Sequence, residues 1–218
     1  MYRTLLSLTA TLAALSPAWA GSLYGLTTDN RLIQFKRTDP SQVTADLPIT
    51  GLMGNDSLLG IDFRPATGEL WAISTTRLYT IDRKTGVATD RTGGTPFALT
   101  GPAIGFDFNP AVDRIRLVGI DDQDLRLNPL TGGLAFVDGA LTYADGSDIR
   151  ATASAYANNV PGTLTTTLYN IDAGRNGWNL TIQTPPNSGT NVLVAEITGL
   201  NLPMDPSDWN VGFDIIGT

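Results

Sequence analysis

Three aspartates at matching positions of a repeated motif are the residues whose type and spacing best suit chemistry. Asp62, Asp107 and Asp214 each stand two residues after a glycine in a Gly-x-Asp pattern. Carboxylate oxygens are ligands that Ca²⁺ prefers. If the strands that carry these aspartates line a common channel, the sequence predicts a Ca²⁺ site there, with no other cofactor expected.

A structural role is the alternative for the same three aspartates. A repeated carboxylate next to a turn often accepts hydrogen bonds from backbone N–H groups, and a folding role predicts its repetition from unit to unit. A later copy of the motif has Ala155 where the others have aspartate, which rules out a symmetric ring of metal ligands. The residue pattern favours the structural role.

Histidine and cysteine are both missing from the chain. Their absence excludes Ser-His-Asp and Cys-His catalysis, imidazole general bases and His-ligated zinc. An enzyme built from this chain would depend on its carboxylates and amides, with a bound metal to polarise a carbonyl or activate water.

Polar residues directly after the first strand of a unit are the candidates for ligand binding. Binding sites usually lie on loops that a rigid scaffold holds in place. A loop tryptophan is a further candidate because it is expected to be exposed. The candidate ligand-binding residues are Arg64, Asn109, Asn158, Asn159 and Trp209.

Other charged residues are expected to be structural. Arg114 and Arg116 alternate with apolar residues, so both leave the same strand face, and ion pairs with Asp113 or Asp121 are expected. Two acidic clusters lack the spacing of a calcium loop and are predicted to be solvated hairpin tips. They are Asp121, Asp122 and Asp124, and Asp138, Asp145 and Asp148.

The first 20 residues have the order of a secretory leader. Arg3 precedes an apolar run, and Ala18-Trp19-Ala20 closes the segment as a small-x-small cleavage site. The apolar run is shorter than the roughly 20 residues that a membrane span needs. The sequence therefore predicts a secreted or periplasmic mature chain, residues 21–218, with no membrane span.

Charge narrows the range of partners. Without Arg3, 13 basic residues face 21 acidic ones, which gives the mature chain a net charge of −8. Nucleic acids and anionic membranes bind basic surfaces, so neither is an expected partner. The sequence predicts a monomer that meets an unknown ligand or protein outside the cytoplasm.

A repeat of 45 residues organises the mature chain. The segment Gly60–Ala66 matches Gly105–Ala111, and in each unit two alternating strands and a Thr-Gly turn follow at matching distances. No stretch has a sustained 3.6-residue period. Four-stranded units at this spacing are typical of propeller blades, so the sequence predicts an all-β, β-propeller-like domain of about four four-stranded blades. A sandwich or jelly roll is the competing fold.

The two ends of the chain carry parts of one unit. Residues 23–26 and 31–35 match the second and third strands of a repeat unit, and residues 212–215 match a first strand. Pairing of the 212–215 strand with residues 23–26 would close the ring and cover both strand edges. The alternative is a truncated five-bladed ring.

The repeated motif resembles a bacterial family catalogued as domain of unknown function 4394. The resemblance rests on the paired Gly-x-Asp-Phe-x-Pro segments and on the segments 112–116, 125–129 and 155–159. It implies a secreted or periplasmic propeller-like protein with no established activity. Members of the family continue past the last strand of this chain with a further blade.

Three functions from different classes follow from these residues. The first is a non-catalytic binding or scaffold propeller. The second is a Ca²⁺-assisted hydrolase or lyase that uses the channel carboxylates. The third is a structural component of an extracellular matrix or envelope. The fold alone does not distinguish them, because propellers serve all three roles.

Overall fold

The computed structural model describes residues 21–101, 104–174, 177–199 and 211–216. Four small sheets are arranged in a ring, a four-bladed propeller, which confirms the predicted fold class. The only helical element among the described residues is a 3-10 turn at Pro186–Ser188, and no helix there has the length and hydropathy of a membrane span. The predicted leader and Trp209 lie outside the described residues.

The chain enters the four sheets in sequence order, and most neighbouring strands are antiparallel. The second and third sheets each contain one full repeat, beginning at Gly60 and near Gly105. The fourth sheet has one extra outer strand, β12, which pairs in parallel with β16. The first sheet comprises β1 (Ser22–Leu26), β2 (Arg31–Lys36) and β3 (Asp39–Pro48); the second β4 (Gly60–Phe63), β5 (Leu70–Ile73), β6 (Leu78–Ile81) and β7 (Ala88–Asp90); the third β8 (Ile104–Asn109), β9 (Arg114–Gly119), β10 (Asp124–Asn128) and β11 (Gly133–Val137); the fourth β12 (Thr142–Tyr143), β13 (Ala151–Tyr156), β14 (Leu168–Asp172), β15 (Asn179–Gln183) and β16 (Thr190–Glu196).

The innermost strands β4, β8 and β13 lie side by side and contact one another in that order. The connections that follow β4, β6, β8, β10, β13 and β15 lie at one end of the strands, because neighbouring strands run antiparallel. We call this end of the ring the hairpin face. It carries residues 64–69, 82–87, 109–113, 128–132, 157–167 and 184–189.

Glycines in the predicted Thr-Gly turns also bring neighbouring sheets close together. Gly86 and Gly132 have φ of 75° and 72°, a conformation that L side chains rarely adopt. A Cβ at Gly132 would lie 1.8 Å from the carbonyl oxygen of Arg91, and one at Gly86 would lie 2.4 Å from that of Pro48. Each turn glycine therefore packs against the backbone of the preceding sheet.

The interface between the second and third sheets is apolar. Trp71 of β5 contacts Phe108 of β8 edge to face, with ring centroids 5.8 Å apart. Buried leucines and isoleucines of both sheets surround this pair. Edge-to-face aromatic contacts add to the stabilisation that comes from burial of their large apolar area.

The interface between the third and fourth sheets is polar and centres on Arg116 of β9. This arginine is 1% exposed and forms ion pairs with Asp124 and Asp138. It also donates to the Tyr156 hydroxyl of β13 at 3.3 Å and to Asn187, in the turn between β15 and β16, at 2.9 Å. Burial raises the pKa of Asp124 to about 6, although the Arg116 charge opposes this shift.

This network corrects two predictions about charged residues. Arg116 pairs with Asp124 and Asp138, and not with Asp113 or Asp121, because its side chain extends between the sheets. The side chains of Asp124 and Asp138 are accordingly 0% and 5% exposed, so they are not solvated hairpin tips. Asp113 instead pairs with Arg64.

The predicted strand pairing between the two ends of the chain is not formed in the described residues. Residues 211–216 form no strand, and β1 pairs only with β2. Val211 and Phe213 pack instead against the apolar cluster of the fourth sheet that contains Trp178. The C-terminal segment is thus positioned by side-chain contacts with the fourth sheet.

Replacement of Arg116 should be strongly destabilising. Arg116→Ala leaves two buried carboxylates without their counter-charge, and we expect a loss of roughly 3–5 kcal/mol in the free energy of unfolding. Arg114→Ala, on the same strand but partly exposed, is the matched control and should cost much less. Urea unfolding of both variants measures the difference, and equal losses would contradict the account of this interface.

Candidate functional site

The Gly-x-Asp motif places its carboxylate at the contact between neighbouring innermost strands. A Cβ at Gly105 would lie 2.5 Å from the backbone nitrogen of Ser154 in β13. A Cβ at Gly60 would lie 3.0 Å from the Cβ of Phe106 in β8. A side chain at position 105 would therefore collide with the backbone of β13, whereas one at position 60 would be tightly packed against β8.

Each innermost aspartate then bridges to the next sheet. Asp62 Oδ2 accepts the backbone N–H of Phe108 at 2.7 Å, and Asp107 Oδ2 accepts the backbone N–H of Tyr156 at 2.8 Å. The donor is in both cases one residue past the matching position of the neighbouring unit. Asp62 Oδ1 also accepts the N–H of Phe63 at 2.6 Å. The repeated motif is therefore an inter-sheet bridge, as the structural interpretation predicts.

The C-terminal segment brings a third carboxylate to the same place. Asp62, Asp107 and Asp214 each offer an oxygen, and these oxygens lie within 4.8 Å of one another. Asp62 and Asp107 are 8% and 1% exposed, whereas Asp214 is exposed to solvent. The structure thus brings together the three aspartates that the sequence predicts.

The pKa values of this cluster are raised. Burial raises the pKa of Asp62 well above its usual value, and the Asp214 charge adds to the effect. Burial and the Asp62 charge do the same for Asp107. Desolvation also raises the pKa of Asp214, although its residue is exposed, because its carboxyl lies close to protein atoms. The Asp62 and Asp107 side chains also interact directly, so protonation of one carboxyl would relieve the repulsion between them.

This geometry meets only part of what a metal centre requires. The oxygens are close enough for one hard cation, which prefers oxygen ligands at about 2.3–2.6 Å. Both oxygens of Asp62 and one of Asp107 already accept backbone N–H groups. A shared proton lowers the mutual repulsion of the buried pair without any cation.

Arg64 lines a groove between the second and third sheets. Its guanidinium donates to both oxygens of Asp113, at 2.8 and 2.5 Å, and lies 5.9 Å from the centroid of the Trp71 ring. The groove has a volume of about 470 Å³. We call it the first groove. Its lining residues are Arg64, Glu69, Trp71, Asp90, Arg91, Thr92, Pro129, Leu130 and Thr131.

Asn109 lines a smaller cavity of about 140 Å³ between the third and fourth sheets, which we call the second groove. Asn109 and Arg64 occupy the same position of the repeat. The Asn109 side chain hydrogen-bonds to the Tyr156 hydroxyl, and burial raises the pKa of that tyrosine. Tyr156 and Gln183, each 2% exposed, form the inner part of this groove.

Asn158 and Asn159 lie in the 157–167 loop, whose last residues border the second groove. The Asn158 amide donates to the carbonyl of Thr165 at 3.1 Å and so holds the loop together. Leu164 of this loop is 93% exposed. Asn158 and Asn159 therefore lie beside the second groove on the hairpin face, but neither is among its lining residues.

Several site residues were missed by sequence reasoning. Trp71 lies beneath Arg64, a contact between residues of two different strands that no motif in the sequence indicates. Arg91 carries no motif. Tyr156 could have been found, because it occupies the position of Phe108 in the repeat and is the only polar residue to do so.

Comparison with known proteins identifies the family of this chain. The model of a family described as "Domain of unknown function (DUF4394)" matches residues 20–218. The chain belongs to this family. A search of curated proteins gave no match.

Among solved structures, the DUF4394 chain is similar to one described as "Crystal structure of BBS1N in complex with ARL6DN, soaked with mercury". The sequences are 16% identical and the TM-score is 0.43. The match covers 83% of this chain and 50% of the other, so this chain spans half the length of that structure's chain.

Two variants of Asp107 test the inter-sheet bridge. Asp107→Ala leaves the Tyr156 N–H without its acceptor and should lower the free energy of unfolding by roughly 1–3 kcal/mol. Asp107→Asn keeps an acceptor oxygen and removes a buried charge, so it should be at least as stable as the wild type at neutral pH. Chemical unfolding measures both, with the exposed Asp148→Asn as the control.

The same variants have a defined pH dependence. Because the folded-state pKa values of Asp62 and Asp107 are raised, the folded chain holds more protons than the unfolded chain above the ordinary aspartate pKa. Their stabilising contribution is full below that ordinary value and is lost as the pH rises through the raised values. Asp107→Asn should flatten this fall. An unchanged pH profile, or an asparagine as damaging as alanine, would contradict the bridge.

Proposed function

We propose that this DUF4394 chain is an exported, non-catalytic binding or scaffold propeller that presents its hairpin face to a ligand outside the cytoplasm. One observation carries the proposal. Two grooves open between neighbouring sheets, and the same repeat position, occupied by Arg64 and Asn109, lines both. Two repeat units therefore place the same position at a groove, but they carry different residues there.

The surroundings of these grooves support a binding role. Arg64 reaches across to Asp113 in the 109–113 hairpin, which begins at Asn109, so the two grooves are adjacent on the hairpin face. Arg64 is held by two hydrogen bonds, and Asn109 accepts the N–H of Ala111 at 3.0 Å. Polar groups fixed in this way lose little conformational freedom when a ligand binds.

The net charge of the mature chain suggests which partners to test. An acidic domain disfavours nucleic acid and anionic membranes. We propose a monomer that meets a small ligand or a protein segment. The predicted leader would deliver this chain to the periplasm or the exterior.

A Ca²⁺-assisted hydrolase or lyase is the second candidate function. The convergence of three carboxylate oxygens within 4.8 Å favours it. The hydrogen bonds that already occupy Asp62 and Asp107 count against it, because a general base or metal ligand needs accessible lone pairs. The binding role is therefore the stronger proposal.

A ligand screen tests the binding proposal. The protein is expressed with its leader, and the secreted chain is exposed to short peptides, oligosaccharides and nucleotides while its thermal unfolding is followed. A ligand that binds only the folded state raises the midpoint. We expect one class to do so, with the effect reduced in Asn109→Ala and retained in Arg150→Gln at the opposite end of the strands. The intact mass should show a chain that begins at Gly21.

Calcium distinguishes the two candidate functions on the same material. The binding proposal expects the unfolding midpoint to be the same in EDTA and in added Ca²⁺. A midpoint that rises with Ca²⁺ in the wild type but not in Asp107→Asn would favour the metal-assisted enzyme and contradict the non-catalytic role.

A further inference from the structure

Trp71, which lines the first groove, has a hydrogen-bond donor that the described residues do not satisfy. The indole Nε1 of Trp71 is buried, and the side chain is 3% exposed, yet Nε1 has no acceptor in the described part of the chain. Buried indole N–H groups usually find a partner. A ligand oxygen that reaches this donor therefore gains a hydrogen bond that the protein alone does not make.

Arg91 supplies the positive charge of the same groove. Arg91 is exposed, and its Nε donates to Thr80 Oγ1 at 3.0 Å, which orients the guanidinium. Its terminal nitrogens have no ion-pair or hydrogen-bond partner among residues 21–101, 104–174, 177–199 and 211–216. The Arg64 guanidinium, by contrast, is already bound to Asp113. Arg91 thus presents a guanidinium whose terminal nitrogens have no partner in the described part of the chain, and it suits a carboxylate.

Two carboxylates flank these donors and limit what else the ligand contains. Glu69 Oε2 accepts the hydroxyl of Thr67 at 2.8 Å, and Asp90 Oδ1 accepts the N–H of Thr92 at 2.7 Å. Each carboxylate retains a second oxygen that can accept from a ligand. A simple anion would be repelled by these groups. The ligand must therefore present N–H or O–H donors beside its own carboxylate.

The remaining walls distinguish a peptide from an acidic sugar. Leu130, which is 74% exposed, and Pro129 give the groove an apolar side that suits an aliphatic side chain. A sugar site usually offers the open face of an aromatic ring, but Arg64 lies over the buried Trp71 ring. The lining thus favours a chain end with a carboxylate, amide N–H groups and an apolar side chain.

We propose that the first groove binds the C-terminal carboxylate of a peptide or protein segment. The carboxylate pairs with Arg91 and approaches the Trp71 indole N–H. The last amide N–H groups donate to Glu69 or Asp90, and the terminal side chain packs on Leu130. Capture of a free carboxylate terminus is an established mode of peptide recognition. This inference rests on the proposed binding function and names the ligand class for one of its two grooves.

The test compares two peptides that differ only in their terminal group. The ¹⁵N-labelled protein is titrated with acetyl-Ala-Ala-Leu as the free acid and as the C-terminal amide, at equal ionic strength, and the Trp71 indole resonance is followed. The free acid should shift this resonance saturably, and the amide should bind at least about ten-fold more weakly, because it loses a charge-assisted contact. Arg91→Gln should weaken the free acid by a similar factor. Arg37→Gln, which replaces an exposed arginine outside the groove, should not.

Other results would overturn the inference. Equal effects of acid and amide, or no shift of the Trp71 resonance, would exclude carboxylate capture here. A larger shift with glucuronate than with the peptide would assign the groove to an acidic sugar. If the peptide perturbs the Asn109 side-chain amide and leaves Trp71 unchanged, this inference fails while the binding function stands.

Discussion

The hydrogen bond from a backbone N–H of one innermost strand to an aspartate of the preceding one is the interaction on which the ring depends. Asp62 makes it to Phe108, and Asp107 makes it to Tyr156. A propeller sheet leaves the edge of its innermost strand facing the channel, where unpaired backbone groups would be costly. The carboxylate satisfies one such group and fixes the spacing of two sheets. The glycine two residues earlier permits the close approach that the bridge requires.

Around this common centre, the contacts between sheets differ in kind. Cross-strand neighbours of the two aspartates are Trp71 in the second sheet and Arg116 in the third, at the same place in the register. One creates an apolar interface with Phe108, and the other creates a buried ionic network with Asp124 and Asp138. The aspartate bridges are thus the same at both interfaces, whereas the side chains farther from the channel differ between them. This division explains how one position, Arg64 or Asn109, comes to line two grooves of different chemistry.

The fold was predictable because its signals are local and repeated. Gly-x-Asp, the alternating strands and the Thr-Gly turns recur in register, and the second and third sheets follow them closely. The convergence of Asp62 and Asp107 followed from the same repeat. Contacts between sheets were harder to predict, because the partners of Arg116 depend on distances across an interface that no sequence period encodes. The unpaired 211–216 segment was missed for the same reason, because the contacts of Val211 and Phe213 with the cluster around Trp178 lie between segments that no sequence period relates.

A measurement of how the Asp62 and Asp107 carboxyls ionise tests most directly whether they form a bridge between sheets. A titration of their ¹³Cγ chemical shifts from about pH 4 to about pH 9 covers the ordinary and the raised range of an aspartate pKa. The account predicts that both carboxyls ionise above the ordinary aspartate range and that added Ca²⁺ leaves both resonances unchanged. Two carboxyls that ionise near the ordinary value of about 3.9 and shift when Ca²⁺ is added would contradict it, and would make the centre of the ring a metal site.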